Sequence, residues 1–281
     1  MRIFLLILLL ACSPARAAEL KIATWNLEWL TPRPAGDPAL PADVRPKTAE
    51  DVAILRRYAM FLDADVIALQ EVDGPAIASQ VFPAEGYVLH FTADHVVQRT
   101  GFAVRRGLTF TANPDLTALE LQPGRLRSGA DITVKSGGNL LRLLNVHLKT
   151  GCREDPLARS QRSQCEDLRR QLPGLQGWIA QRRAEGAAFM LVGDFNRWMD
   201  GRDAFWPALL QTAPLSRATE NKTSPCWGGS GFIDHLIAGG AARGWMEPSS
   251  LAVLTYREQG AAWKQRLSDH CPVSVRLKLP D

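Results

Sequence analysis

The most constraining feature of the sequence is a series of short apolar segments, each bordered by polar side chains capable of acid, base or metal chemistry. Apolar runs of about four to eight residues between turn residues are typical of buried β-strands. Because loops at one edge of a sheet can converge on a pocket, the bordering side chains are expected to form one site. The six borders are Trp25-Asn26-Leu27-Glu28, Leu69-Gln70-Glu71-Val72, Asn145-Val146-His147-Leu148-Lys149, Gly193-Asp194-Phe195-Asn196, Ile233-Asp234-His235 and Ser268-Asp269-His270.

The chain begins with a predicted strand, helix and strand. The first strand covers Lys21 to Leu27, and the helix over Thr48 to Leu62 precedes a second strand from Asp65 to Gln70. The proline-rich segment between the first strand and the helix, Thr31 to Pro46, is predicted to be a surface loop. Further strands are predicted at Gly86 to Phe91, Gly101 to Arg105, Asp131 to Lys135, Leu140 to Leu148, Ala188 to Val192, Phe232 to Ala238, Ser250 to Leu254 and Pro272 to Leu279.

Two helical regions follow in the second half of the chain. The longer one runs from Leu157 to Ala184 and is predicted to break in two at Pro173-Gly174, because proline lacks the backbone N–H of a helix interior. A shorter helix is predicted near Asp203 to Gln211. Strands and helices interleave without a strict βαβ repeat, which predicts an α/β fold of mixed sheets flanked by helices.

Residues 1–17 have the features of a signal peptide. Arg2 precedes the apolar run Ile3 to Ala11, and Ala15-Arg16-Ala17 provides a cleavage site. The run is shorter than the ~20 residues of a membrane-spanning helix, so export to the periplasm or the medium is predicted, with no stable membrane insertion. Acylation of Cys12, as in a lipoprotein, is the alternative.

The remaining length and charge give coarser limits. Removal of the first 17 of 281 residues leaves 264, enough for one large domain or two small ones, and without a visible linker a single domain over residues 18–281 is predicted. The formal charge of +4 falls to +2 when Arg2 and Arg16 are removed. So small a net charge provides no global attraction to nucleic acid, so a polyanion would have to be bound by a local patch.

Four cysteines remain after the leader, an even number in an oxidising compartment. Disulfides are therefore predicted, and of the three possible pairings Cys152 with Cys165 and Cys226 with Cys271 is favoured. A zinc site is the alternative, but the sequence has no Cys-x-x-Cys motif or closely spaced Cys/His cluster.

Each polar border also has an ordinary structural explanation when it is taken alone. Asn26 can stabilise a turn, Glu71 can begin a helix and His147 can be a buried strand histidine. The segment Gly193 to Asn196 can be a capped turn, and Asp269 can pair with its neighbouring histidine at the surface. The case for a catalytic site therefore depends on the order of all six segments.

Together and in this order, the segments resemble the endonuclease/exonuclease/phosphatase superfamily, which includes DNase I-type nucleases, abasic-site endonucleases, inositol polyphosphate phosphatases and bacterial sphingomyelinases. The resemblance covers nearly all of Lys21 to Leu279, and its most specific elements are Gly-Asp-Phe-Asn and Ser-Asp-His. The stretch from His147 to Cys152 is similar to a secreted bacterial branch. The resemblance implies a DNase I-like four-layer sandwich of two packed mixed β-sheets flanked by helices.

The resemblance also implies a metal site. Glu71 is similar to the metal-binding glutamate of the family, Asn26 and Glu28 match the first-strand pair that supports metal and phosphate, and Asp269 matches a residue beside the metal. The implied cofactor is Mg²⁺, with Mn²⁺ and Ca²⁺ as alternatives, because carboxylate oxygens are hard ligands suited to these ions.

The remaining implied roles are catalytic. His147 matches the histidine that contacts the phosphate or assists the leaving oxygen, while Asp194 and Asn196 match the pair that positions the attacking water and the phosphate. His270 matches a general base or transition-state stabiliser, and Asp234 the carboxylate that orients it. These roles agree with general acid–base chemistry, in which a paired aspartate holds the histidine tautomer that accepts a proton.

Several basic residues near the motif strands are candidate phosphate contacts. Arg99 and Lys149 are predicted to bind substrate, together with Arg125 and Arg127, although ordinary solvated charge explains them equally well. His235 has no assigned role.

The predicted activity is metal-dependent hydrolysis of nucleic acid by in-line water attack, most simply as an endonuclease acting as a monomer. Trp29 or Trp227 is available for base stacking. A sphingomyelinase-like or small-molecule phosphodiesterase or phosphatase is the alternative, with Phe205-Trp206 the nearest candidate for membrane contact. A secreted binding module without catalysis is a third interpretation, but such a module needs no metal carboxylate together with a base.

Overall fold

Two six-stranded mixed β-sheets packed face to face form the centre of the molecule, in a computed structural model that describes residues 19–200 and 203–281. Helices pack on the outer face of each sheet, which confirms the predicted four-layer α/β sandwich. The predicted signal peptide, residues 1–17, and the alternative acylation site Cys12 lie outside the described residues.

Each strand and helix predicted from the sequence is present, but the structure also has short strands and helices that were not predicted, and the long helix begins at Ser163 rather than at Leu157. The strands are β1 (Glu19–Leu30), β2 (Val66–Val72), β3 (Tyr87–Phe91), β4 (Arg99–Arg105), β5 (Thr109–Ala112), β6 (Ala130–Ser136), β7 (Asn139–His147), β8 (Phe189–Asp194), β9 (Leu215–Arg217), β10 (Thr223–Ser224), β11 (Ser230–Gly231), β12 (Asp234–Gly239), β13 (Met246–Val253) and β14 (Val273–Lys278). The α-helices are α1 (Ala49–Leu62), α2 (Pro75–Val81), α3 (Ser163–Ala184), α4 (Phe205–Thr212), α5 (Ala242–Trp245) and α6 (Ala261–Arg266).

The first sheet has the strand order β13-β14-β1-β2-β4-β3. Its central strands β1 and β2 run parallel, with Asn26 opposite Gln70, and the chain crosses between them through α1. A capping box starts this helix: Thr48 Oγ1 accepts the Asp51 N–H, and the Asp51 carboxylate accepts the Thr48 N–H. Because β1 and β2 are parallel, both of their motifs lie at the same edge of the sheet.

The second sheet has the strand order β5-β6-β7-β8-β12-β9. Strands β7 and β8 run parallel with His147 opposite Asp194, and β12 runs antiparallel with Asp234 also opposite Asp194. Strand direction therefore brings the end of β7, the end of β8 and the start of β12 to one edge.

Three apolar clusters hold the layers together. One lies between the sheets, one joins the first sheet to α1 and α2, and one joins the second sheet to α3 and α4. Fully burying a Val, Leu, Ile or Phe side chain contributes roughly 1.5–3 kcal/mol, so these contacts provide most of the driving force. Representative members are Ile22, Val104, Leu143, Val192 and Val275 between the sheets, Trp25, Leu55, Ile67 and Phe82 under the first pair of helices, and Leu168, Ile179, Phe189 and Phe205 under the second.

The predicted break in the long helix is wrong, because α3 continues through Pro173. Proline removes one backbone hydrogen bond, but Leu175 and Ile179 on the following turns are fully buried against the second sheet. Gly174 lies so close to Ala118 that an added Cβ would come within 3.0 Å of the alanine Cβ. Packing of the buried face therefore outweighs the local preference of the Pro-Gly pair.

Both favoured disulfides, Cys152–Cys165 and Cys226–Cys271, are present. The first joins the loop after β7 to the first turn of α3, and the second joins the segment before β11 to the residue after His270. Since all four cysteines are paired with one another, the alternative zinc site is excluded. Among the described residues, no helix combines the length and apolar character needed to cross a bilayer.

Candidate active site

A cleft of about 700 Å³ opens where the motif-bearing ends of the two sheets meet. Three predicted residues from the first sheet and its flanking loops line it, Glu28, Glu71 and Asp269, and so do His147 and Lys149 from β7 and the loop after it. The other predicted residues that line it are Asp194, Asn196, Asp234 and His270. The sequence order of the motifs therefore corresponds to one place in the fold.

Irregular backbone turns several of these side chains into the cleft. The pairing of β1 with β2 shifts register between Asn26 and Leu30, and that of β2 with β4 shifts between Leu69 and Val72. Such bulges redirect the side chains that follow them. Positive φ angles occur at five non-glycine residues of the cleft lining, and each costs of order 1–3 kcal/mol. They are Glu28 (41°), Trp29 (53°), Glu71 (59°), Asn196 (52°) and Trp227 (48°).

Asn26 joins the two halves of the site. Its Nδ2 donates to Glu71 Oε1 at 3.0 Å and to Asp194 Oδ2 at 3.1 Å, while its Oδ1 accepts the Glu28 N–H at 2.8 Å. Ser268 Oγ donates to the Asn26 carbonyl at 2.7 Å. The amide nitrogen therefore faces the carboxylates where the sequence predicted a metal-ligand oxygen, and the geometry makes Asn26 a bridge between Glu71 and Asp194.

Three carboxylates form the first-sheet side of the cleft. Glu71 Oε2 accepts the Trp29 N–H at 3.2 Å, and Glu28 Oε2 accepts the Asp269 N–H at 3.0 Å. Burial, and then the negative charge of Asp269, raise the pKa of Glu28 to about 7. Hard oxygen donors whose charges repel one another in this way fit a divalent cation, which would relieve that repulsion.

His270 is held between carboxylates on the second-sheet side. Its Nδ1 lies 2.8 Å from Asp234 Oδ2, and its Nε2 lies 3.7 Å from Asp194 Oδ2. Burial alone would lower the pKa of His270, but Asp234 and Asp194 outweigh it and raise the pKa well above its ordinary value. The ring is therefore an imidazolium whose Nε2 faces the cleft.

Asp194 lies at the centre of the site and is fully buried. Its Oδ1 accepts the backbone N–H of Asn196 at 2.7 Å, and its Oδ2 accepts Asn26 Nδ2. Burial raises the pKa of Asp194 to about 7, although His270 acts in the opposite direction. The ligand atoms of Asp194, Asp234 and His270 lie within 4.8 Å of one another, but a protonated His270 has no free lone pair, so this cluster could hold a cation only after His270 lost its proton.

His147 is buried beside both acidic groups. Its Nε2 lies 3.5 Å from Glu71 Oε1 and 3.6 Å from Asp194 Oδ2. Burial, with the nearby charge of Arg127, lowers the pKa of His147 well below its ordinary value, so these contacts are not ion pairs. At these distances they are not hydrogen bonds either, and the neutral ring is available to a substrate oxygen.

Three of the sequence candidates lie outside the centre of the cleft: Arg125, which lines only an adjoining groove, Arg99 and His235. Arg99 lines an adjoining groove rather than the cleft. His235, whose role the sequence left open, is buried: its Nδ1 lies 2.6 Å from Thr219 Oγ1 and its Nε2 lies 3.0 Å from the Arg197 carbonyl oxygen. Burial lowers the pKa of His235 to about 3, so this histidine is a neutral structural residue.

Some site residues were missed from the sequence. Gln70 Nε2 donates to Asn145 Oδ1 at 2.7 Å between the two sheets, and Asn145 Nδ2 donates to the carbonyls of Leu69 and Gly101. Both side chains are fully buried, so the network fixes how the sheets meet below the cleft. Gln70 lies directly before Glu71, and Asn145 lies two residues before His147. These positions are the only indication in the sequence that the two residues support the site.

Lys47 and Trp198 were also missed. The Lys47 Nζ is shielded from solvent, has no hydrogen-bond partner among the described residues, and is influenced electrostatically by Glu28 and Glu71. Trp198 lines the cleft two residues after Asn196, with the Arg153 guanidinium 5.9 Å from its ring centroid. Lys47 directly precedes Thr48, the N-cap of α1, and a lysine at that position matches no catalytic motif. Lys47 was therefore not predicted as a site residue.

Several solved structures share the fold of this chain at low sequence identity. The chain is similar to truncated Caenorhabditis elegans TDP2, with 16% identity, coverage of 92% of this chain and 98% of that chain, and a TM-score of 0.63. The AP endonuclease LMAP from Leishmania major is 15% identical, the match covers 93% of this chain and 88% of that chain, and the TM-score is 0.63. The Neisseria 3' phosphatase NExo, bound to a product DNA hairpin, is 17% identical, the match covers 92% of this chain and 99% of that chain, and the TM-score is 0.57.

These identities are low, so the structural likeness establishes the DNase I-like fold and no more. No curated protein sequence matched this chain. The sequence pattern of the family described as "Endonuclease/Exonuclease/phosphatase family" matches residues 23–270, from β1 to His270. The chain therefore belongs to the endonuclease/exonuclease/phosphatase family, a group of divalent-metal-dependent phosphoric ester hydrolases.

Proposed function

We propose that the protein hydrolyses phosphodiester bonds of nucleic acid, as an endonuclease dependent on Mg²⁺. The observation that carries this proposal is the arrangement around Asn26, whose amide lies between Glu71 on one side and Asp194 on the other. A cation site, a base and an imidazolium therefore face one cleft, and these are the groups that in-line attack of water on a phosphodiester requires.

The protein's own groups supply proton transfer and charge stabilisation. Asp194, with its pKa raised to about 7 by burial, is suited to accept a proton from the attacking water near neutral pH. The His270 imidazolium, held by Asp234, stabilises negative charge that develops on the phosphate oxygens. Neutral His147 and the Asn196 amide, which line the cleft beside Asp194, orient the phosphate.

Glu71, Glu28 and Asp269 would hold the Mg²⁺ ion on the first-sheet side. When bound, such an ion acts as a Lewis acid toward the phosphate. Asn26 fixes the orientation of the Glu71 carboxylate through its 3.0 Å hydrogen bond, and the Trp29 N–H fixes the other oxygen. One side-chain contact and one backbone contact on the same carboxylate pre-organise it for a ligand.

Replacement of Glu71 by glutamine is expected to weaken divalent-ion binding at least about tenfold, because the change removes a charged oxygen ligand. Isothermal titration with Mn²⁺ measures this without any turnover. The matched control is Asp43→Asn, which removes an exposed carboxylate from the same cleft. It is expected to change the affinity less than about threefold, since exposed charges are screened. Equal losses in the two variants would contradict the assignment.

Three considerations favour nucleic acid over lipid as the substrate. Three tryptophans, Trp29, Trp198 and Trp227, line the cleft and can stack against bases. The NExo relative of the same fold is a 3' phosphatase bound to DNA. Phe205 and Trp206, the sequence candidates for membrane contact, are buried in the core and cannot insert into a bilayer. The two residues that the sequence offered for membrane contact in the sphingomyelinase-like alternative therefore cannot serve that role.

A substrate panel tests this choice. Supercoiled DNA, RNA, sphingomyelin and bis(p-nitrophenyl) phosphate are each incubated with the purified protein and Mg²⁺, with EDTA as the control. Cleavage of a nucleic acid at a rate well above the rate on sphingomyelin is expected. Hydrolysis of sphingomyelin alone would replace the nuclease with the lipid esterase, and hydrolysis of the small diester alone would favour a small-molecule phosphodiesterase.

The site and the disulfides also support a proposal for location. We propose export to the periplasm or the medium as one domain over residues 18–281, active as a monomer. Disulfides persist in oxidising compartments, and both described pairs tie loops close to the cleft. Recovery of the protein in the periplasmic or culture fraction, with no free thiol after denaturation, is the corresponding measurement.

A further inference from the structure

A second groove of about 560 Å³ adjoins the active-site cleft. The two cavities share Trp29, Gln98 and Arg127 in their linings, so a ligand can pass from one into the other without leaving the surface. The side-groove lining also contains the basic residues Arg33, His95, Arg99 and Arg125.

The side groove differs from the cleft in charge. Its lining has four arginines and a single carboxylate, Asp73. The lining of the cleft has six carboxylates and five lysines or arginines. The protein's own charge therefore favours an anion in the side groove even without a cation in the cleft.

Two arginines of the groove have no carboxylate partner. Arg99 forms no ion pair among residues 19–200 and 203–281, and its buried Nε has no hydrogen-bond partner there. Its guanidinium packs over Gly74, where an added Cβ would lie 3.3 Å from Arg99 Cζ. Arg127 is 7% exposed and donates only to the carbonyls of His147 and Leu148. Arg99 thus keeps a positive charge without an ion-pair partner, whereas the charge of Arg127 is influenced through space by Glu71 and Asp194 in the cleft.

The other two arginines are held in place by carboxylates. Arg33 Nε donates to Asp73 Oδ2 at 2.8 Å, and Arg125 Nη2 donates to Asp167 Oδ2 at 2.6 Å. These pairs orient the guanidinium groups along the groove but reduce the charge that each offers. Arg99 and Arg127 are therefore the principal anion contacts, and the paired arginines are secondary ones.

We propose that the side groove binds the sugar-phosphate backbone of a nucleic-acid strand beyond the phosphodiester that lies in the cleft. Trp29, which borders both cavities, provides a stacking surface for a base at the junction. Sphingomyelin and bis(p-nitrophenyl) phosphate each carry one phosphate, so neither would occupy a second basic cavity. The repeated phosphates of a polynucleotide can occupy the cleft and the side groove at the same time. This inference rests on the proposed nuclease function.

Two charge-removing variants test the groove. Arg99→Gln removes an unpaired charge, and Arg125→Gln leaves Asp167 with Arg170, 3.6 Å away. Binding of a fluorescent twelve-nucleotide single strand is followed by anisotropy in EDTA. Each variant is expected to weaken binding about threefold to tenfold, and to reduce the slope of log affinity against log salt by about 1. The rate on bis(p-nitrophenyl) phosphate with Mg²⁺ is expected to stay within about twofold of wild type, because this diester fills the cleft alone.

The matched control is Arg56→Gln, which removes the same charge from the exposed face of α1, outside both cavities. It is expected to bind the oligonucleotide like wild type. Wild-type affinity for the oligonucleotide in both groove variants, or an equal loss of affinity in the Arg56 variant, would contradict strand binding in the side groove. Neither result would contradict the proposed nuclease activity. A wild-type protein that hydrolyses the small diester but neither binds nor cleaves the oligonucleotide would overturn both proposals.

Discussion

Replacement of His270 by alanine is expected to lower kcat for phosphodiester hydrolysis by about 10²–10⁴-fold, the contribution typical of a positioned acid–base or charge-stabilising group. The imidazolium lies 2.8 Å from Asp234 and faces Asp194 across the cleft, so no other described side chain replaces its charge there. Steady-state rates on bis(p-nitrophenyl) phosphate at saturating Mg²⁺ measure the effect.

The fold should survive this substitution, because the His270 backbone carbonyl that accepts the Tyr256 hydroxyl is unchanged. Asp234→Asn provides a graded comparison: it keeps a hydrogen-bonding group at the ring but removes the charge that favours the imidazolium. Its loss is expected to be smaller than that of His270→Ala. A His270→Ala protein that retains more than about a tenth of the wild-type rate would contradict the role.

Replacement of Asp203 by alanine is expected to cost about 3–5 kcal/mol of the free energy of unfolding, because it leaves a buried guanidinium without its counter-charge. Arg197 and Asp203 are both buried, and Arg197 Nε donates to Asp203 Oδ1 at 2.5 Å. The same carboxylate accepts the Trp206 N–H at 3.0 Å and so anchors the start of α4.

Equilibrium unfolding in guanidinium chloride, with the disulfides intact, gives this free energy. The partly exposed pair of Arg33 with Asp37, 3.4 Å apart, offers a control: Asp37→Ala is expected to cost only about 0–1 kcal/mol. A cost below about 1 kcal/mol for Asp203→Ala would show that the two Arg197 contacts to the Cys152 and Asp155 carbonyls suffice without the ion pair.

The strands were the most predictable part of the fold, for a physical reason. A strand such as β8 is buried over its whole length, so its apolar run is visible in the sequence without knowledge of its neighbours. The same is true of β2 and of the apolar part of β7. Elements whose stability comes from partners were less visible: α3 passes through Pro173 because its far half is buried by the second sheet.

The membership of the site was predictable, but its internal geometry was not. Four motifs end the parallel strands β1, β2, β7 and β8, and two lie at or before the start of the antiparallel strands β12 and β14, so strand direction brings all six to one edge. The direction of the Asn26 amide depends on Glu71, Asp194 and the Glu28 N–H, which come together only after folding. Lys47 comes from a loop whose path no local pattern encodes, so its burial beside Glu28 and Glu71 was not foreseen.

The side groove illustrates the same limit. From the sequence, Arg99, Arg125 and Arg127 were candidates that ordinary surface charge explained equally well. Their convergence in one cavity beside Trp29 depends on the β3–β4 connection and on the segment before β6. Clusters of like charge formed by distant segments cannot be distinguished from scattered charge before the fold is known.

The most direct test of the central claim is nicking of supercoiled DNA by the purified protein with Mg²⁺, with EDTA, and by an Asp194→Asn variant. Asp194 receives the Asn26 bridge and faces His270, so every proposed step depends on it. We expect conversion to open circles by the wild type with Mg²⁺ and none with EDTA or the variant. Nicking that persists in EDTA, or at an undiminished rate in the Asp194→Asn protein, would contradict a metal-dependent nuclease at this cleft.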